Sequence, residues 1–163
     1  MHRRGPARRR RDGDRGSVSV EVAILAPAFI ALMVLAGVAG RTAVGAEAIQ
    51  AAAHDAARAA SISRDTDSAR TAARSAAAQQ LNWQRLDCVA PPTLAFTGSV
   101  GGSATSFDAA YSAAPGVPAA VTVQVTCTVT FADIHLSSLP GMPAGRTVSA
   151  RFTSPLDSYR SRG

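Results

Sequence analysis

Between Val22 and Gly40 the chain reads VAILAPAFIALMVLAGVAG, with no Arg, Asp or Glu to interrupt it. As a helix this run is about 28 Å long at 1.5 Å per residue, close to the hydrocarbon thickness of a bilayer. A helix apolar on every face belongs in lipid or inside a very large core. With 163 residues the chain has room for one compact domain besides this segment, and no core of that size. Residues 17–40 therefore read as a transmembrane helix.

Charge is distributed around that span, and the net +6 misleads unless it is mapped. Residues 1–16 hold seven Arg against Asp12 and Asp14, so +5 of the total lies there. The rest of the chain is nearly balanced. A run of Arg can serve nucleic acid. Here it abuts the apolar run with no aromatics interleaved, and the positive-inside rule accounts for it: short basic flanks stay cytoplasmic and the C-terminal part is translocated. The expected placement is a single pass of the cytoplasmic membrane, N-terminus cytoplasmic and C-terminal domain extracytoplasmic, with no nucleic-acid partner. Residues 1–16 are almost free of apolar side chains and read as a disordered basic leader.

Two residues at the junction stand out. Gly16 ends the leader, and its lack of a side chain suits an extended substrate held in a narrow protease cleft. Glu21 places a carboxylate at the edge of the span, which is costly unless it is paired. One reading is an acid favoured by the helix dipole in the first turn. The sharper one pairs it with the α-amine that cleavage after Gly16 would create on Ser17, in this subunit or a neighbour. Of the glycines at 5, 13 and 16, only Gly16 has a Glu five residues on.

Gly16-Ser17-Val18-Ser19-Val20-Glu21 resembles the type IV prepilin cleavage signature. More closely, RGSVSVEVAILAP resembles the start of TadE-like proteins, the minor pilin-like components of Tad (tight adherence) systems. Such starts read Arg-Gly, small residues, Glu at the fifth mature position, then a hydrophobic run with an early Pro, here Pro27. Ala56-Ala57-Arg58 matches the family's post-span helix, and Pro155-Leu-Asp-Ser-Tyr-Arg is similar to the tail of many such chains. The resemblance is concentrated in residues 15–60. It implies cleavage by a prepilin peptidase after Gly16, retention in the cytoplasmic membrane until assembly, and other pilin-like subunits as partners through the N-terminal helix. Val22 follows Glu21 where major Flp-type pilins carry Tyr, which argues against the major subunit, as does the sizeable downstream region.

Pro27 removes a backbone donor, and a kink near Ala23 is expected; proline is also simply tolerated in spans. Ala36 and Gly40 form a small-xxx-small pair able to seat a partner helix. Beyond the span, residues 41–85 are Ala-rich and helix-favouring. The span is expected to continue into them as one helix, with Val44, Ile49, Ala53, Ala56, Ala57 and Ala60 on its buried stripe. Ser61 to Asp67 reads as a break, after which Asp65 or Asp67 caps a second helix over Ser68 to Trp83. Its apolar side comprises Ala69, Ala72, Ala73, Ala76, Ala77, Gln80 and Trp83. Trp83 is read as a core anchor.

Residues 86–163 change character to β-rich. Thr93 to Val100 reads as a short strand with Leu94 and Phe96 on one face, and Gly98 to Ser106 as a loop. Phe107 to Ala120 is indeterminate, with room for a short strand near Tyr111. Ala120 to Phe131 is the clearest strand: Val121, Val123, Val125, Cys127, Val129 and Phe131 alternate strictly with polar residues, chiefly Thr. A loop over Leu139 to Gly145 leads to a strand over Thr147 to Thr153 with Val148, Ala150 and Phe152 inward. The fold class is α+β: a long N-terminal transmembrane helix continuing into an extracytoplasmic Ala-rich helical region, then a small antiparallel sheet wet on one side.

Cys88 and Cys127 both lie in the part placed outside. An even pair in an oxidising compartment points to a disulfide, closing a loop of about 40 residues and contributing on the order of 3–4 kcal/mol. The alternative is two reduced, buried thiols.

No catalytic constellation accompanies this organisation. His2, His54 and His135 lack the companion spacing of a metal site, His54 and Asp55 are adjacent and so do not share a helical face, and the serines have no nucleophile-elbow context. No P-loop or GxGxxG occurs. The expectation is a structural protein, not an enzyme, with no cofactor, metal or small-molecule substrate. Two other readings remain. In one, residues 1–40 act as an ordinary signal peptide cut after Val38-Ala39-Gly40, releasing a soluble binding domain, although the apolar run exceeds the usual 7–15 residues and Glu21 and Pro27 intrude on it. Or the chain is an uncleaved single-span protein with an outside sensing domain.

Overall fold

The structure, a computed structural model, describes residues 15–131 and 145–159, with side chains from Val20 onward. Seven elements follow one another: α1 (Arg15–Ile62), α2 (Thr66–Trp83), β1 (Thr93–Val100), β2 (Ser103–Thr105), α3 (Phe107–Tyr111), β3 (Ala119–Thr130) and β4 (Gly145–Pro155). The class is α+β, as the patterning requires. Two compact units divide at Val38 and Ala39, and the core described next lies wholly within the second.

That second unit is built on a four-stranded antiparallel sheet of order β2-β1-β3-β4. β3 is its centre. Val121, Val123, Val125, Cys127 and Val129 are buried on one face, while Thr122, Gln124, Thr126, Thr128 and Thr130 stand on the other. Each fully buried Val contributes about 1.5–3 kcal/mol relative to exposure. The threonine face is laced by hydroxyl pairs between β3 and β4, Thr122 with Thr153 at 2.6 Å and Thr128 with Thr147 at 2.9 Å.

The inner face is covered by the later turns of α1 and by α2. From α1 come Ile49, Ala52, Ala53, Ala56, Ala57 and Ala60; from α2 come Ala69, Ala73, Ala77 and Leu81. Alanine buries little area but lets backbones approach closely. Gly45 takes this furthest, since a Cβ there would stand 3.0 Å from a methyl of Val129. Tyr111 fastens α3 to the helical layer by donating its hydroxyl to the Ala60 carbonyl. Arg70 holds Asp108 by a bidentate contact at 2.8 and 2.9 Å and lies 5.0 Å over the Phe107 ring.

α2 starts where the sequence indicates. The Asp65 carboxylate accepts from the backbone N–H of Asp67 and Ser68, satisfying two donors the first turn leaves unpaired. It ends in a Schellman motif: Arg85 adopts φ 51° and donates to Asn82, and Leu86 donates to Leu81. Residues 87–89 then run alongside the end of β3, where Cys88 is bonded to Cys127 with Cα atoms 5.6 Å apart.

Several local expectations are corrected. Val44 is exposed, because the buried stripe starts with Gly45 and Ala48, one position over. Trp83 is 83% exposed; Leu81 takes the inward position at the end of α2, and Trp83 is its last residue before the chain turns. The stretch Gly98–Ser106 is not a loop. β1 continues to Val100, Gly101 and Gly102 turn with positive φ, and β2 pairs back on it. Around Tyr111 the chain is helical rather than extended, since the Ser106 hydroxyl caps α3 by accepting from Ala109 N–H. Phe152 lies on the inner face with Val148 and Ala150 but is 38% exposed, because β4 is the last strand of the sheet. Gly145, assigned to a loop, is the first residue of β4 and pairs with Thr130. Residues 139–144 of that loop, His2, His135 and the basic leader before Arg15 lie outside the described residues.

Candidate functional site

The feature without a role in the core is the first part of α1. Val20, Val22, Ile24, Leu25, Phe29, Ile30, Leu32, Met33 and Leu35 are all exposed. At 100° per residue these positions cover every side of the helix, so no single partner face is defined. The helix is long and apolar enough to cross a membrane, and the window that qualifies is wholly unburied. It runs unbroken through Pro27. Exposing so many large apolar side chains to water would cost on the order of 1.5–3 kcal/mol each. Lipid removes that cost.

Gly16 and Ser17 lie in the first turn of α1, which begins at Arg15. Presentation of this bond as an extended substrate therefore requires the terminal turn to unwind, a turn whose leading N–H groups have no intrahelical partner. Glu21 falls in the second turn, not the first as the dipole reading expected, and its side chain is exposed. Ser17 precedes Glu21 by four residues, about one helical turn. The sequence singled out these three residues; the backbone brings them within little more than one turn.

Gly45 was not singled out, although it sets how closely α1 approaches β3. Its one signal was the cost of glycine inside a helix.

The remaining candidates are chemically sparse. Beside the Cys88–Cys127 bond lies an open cleft of about 350 Å³, lined by Leu81, Leu86, Val89, Pro91 and Pro92 among others. Asp87 is its one ionisable side chain. Among the described residues no group of three or more His, Cys, Asp or Glu side chains is placed to hold a metal ion. His54 bonds its neighbour Asp55 at 3.1 Å and packs edge-on against Phe152.

Residues 16–58 match the family model described as TadE-like protein. The N-terminal segment resembles that family. That match starts at Gly16, takes in Glu21 and the apolar run, and ends at Arg58 inside the Ala-rich continuation of α1. It leaves α2 and the sheet outside the matched segment. No curated protein and no solved structure matches the chain.

Proposed function

We propose that this chain is a membrane-anchored, minor pilin-like component of a Tad-type pilus assembly or secretion system, structural rather than catalytic. A prepilin peptidase cuts after Gly16 and removes the arginine-rich leader. The mature chain begins at Ser17, keeps the apolar helix in the cytoplasmic membrane, and carries the Ala-rich helices and the sheet outside. Glu21 pairs with the α-amine of Ser17 in its own subunit or a neighbouring one. Such a partner offsets the cost of placing that carboxylate at the edge of the lipid.

The observation that carries this reading is the TadE-like match beginning at Gly16 and running through an apolar helix whose large side chains from Val20 to Leu35 are exposed. Oxidation of Cys88 and Cys127 fits an extracytoplasmic compartment. Two substitutions test it in cells with an active prepilin peptidase. Gly16→Leu is expected to block cleavage and leave the full-length chain in the membrane. Glu21→Leu is expected to leave the chain membrane-bound while recovery in assembled structures falls at least tenfold. Maturation and assembly of both variants as in the parent would overturn the proposal.

A further inference from the structure

β4 spans 11 residues and pairs with β3 along one side. No described residue pairs with its other side. Which backbone groups face outward follows from the hydrogen bonds around β3. Val89 N–H donates to Thr128 O at 2.8 Å and Thr130 N–H to Asp87 O at 3.4 Å. Even-numbered residues at this end of β3 thus turn their backbone groups away from β4, and odd-numbered ones turn toward it. Their register partners are Arg146, Val148, Ala150 and Phe152. Alternation leaves the N–H and C=O of Thr147, Ser149, Arg151 and Thr153 on the free edge. Leu156 N–H donating to Ala119 O at 2.9 Å keeps the same phase beyond the strand. Pro155 occupies the next outward position, where a proline lacks the very N–H that would otherwise be left over.

Native sheets usually blunt such an edge by shortening it, bulging it or burying it. The opposite edge is broken up: β2 has three residues and covers only residues 98–100 of β1, leaving residues 93–97 as a shorter edge. β4 is long, its register is continuous over Gly145–Pro155, and proline appears only at its end. We propose that the free edge of β4 accepts an added antiparallel strand from another protein, an extended segment carrying acidic side chains. Main-chain bonds to four residues would hold it, and alternate side chains would set specificity. On the threonine face those side chains meet Arg151, and on the inner face they meet Arg146 and the partly exposed ring of Phe152. β4 has two arginines and no acid. The nearby Asp55 carboxylate is engaged by His54. A second copy of β4 would bring the same arginines to this edge, so charge favours a different, acidic strand.

The test uses the full chain in detergent and two labelled octapeptides, one alternating glutamate with valine and the other lysine with valine. The glutamate peptide is expected to bind at least tenfold more tightly than the lysine peptide. Arg151→Pro removes an outward N–H without touching the β3 ladder, and is expected to weaken that binding at least tenfold at an unchanged unfolding midpoint. Thr153→Pro is expected to do the same. Should either proline variant unfold, Arg151→Glu serves instead and is expected to reverse the preference toward the lysine peptide. No binding, equal binding of both peptides, or binding that survives both proline substitutions would overturn the proposal. So would a dimer of the parent chain that Arg151→Pro dissociates, which would give the edge to a second copy.

Discussion

Gly98 sits where α3 crosses β1. A Cβ at this position would stand 2.5 Å from the Ala110 methyl and 2.7 Å from the Ser106 carbonyl oxygen. The oxygen belongs to backbone and cannot swing aside. Gly98→Ala is therefore expected to lower stability by roughly 1–3 kcal/mol, read as a shift of the denaturation midpoint. Arg85 offers the opposite case. It holds a left-handed conformation at the end of α2, a position that glycine fills without steric cost. Arg85→Gly should raise stability by up to about 1 kcal/mol in the same measurement, because relief of left-handed strain exceeds glycine's extra entropy cost. Neither residue was legible beforehand: an alternating strand pattern says nothing of which neighbour presses on it, and an arginine carries no mark of positive φ. Trp83 misled for a related reason. Its size argues for burial, but helix phase places Leu81 inward instead.

Elements were easier to read than residues, wherever the periodicity was strong. β3 was visible because five apolar residues alternate with threonines and a glutamine along a single buried face. α2 was visible from its alanine spacing and from Asp65. Hydrogen bonds to the Asp65 carboxylate, first from the Ser68 hydroxyl and then from backbone N–H groups, hold its pKa below the usual carboxylate value. A depressed carboxylate contributes stability that is complete above its unfolded pKa of about 3.9 and is lost as pH falls through the folded value. Acid unfolding should therefore show a steeper loss below about pH 4 for the parent than for Asp65→Asn, which caps the helix without titrating. Equal slopes would remove Asp65 from the acid response. The β2 hairpin and α3 escaped because their signals are short: two glycines for a turn, and a lone serine cap ahead of one and a half turns.

At the scale of the whole molecule, the apolar helix was legible from composition alone. It depends on hydropathy summed over many residues, which no packing detail alters. The continuation of α1 past the span and the Cys88–Cys127 bond were also legible; what the sequence withheld was that Gly45 seats α1 against β3 and that β4 ends the sheet among the described residues. Those depend on contacts between positions far apart in the chain. The proposed function turns on whether the segment before the span is removed at Gly16. Mass spectrometry of the mature N-terminus, on protein isolated from membranes of cells with an active prepilin peptidase, decides this most directly. A chain beginning at Ser17 is the expected result. A chain beginning at residue 1 or 2, or at Arg41 after loss of the whole apolar run, would contradict it.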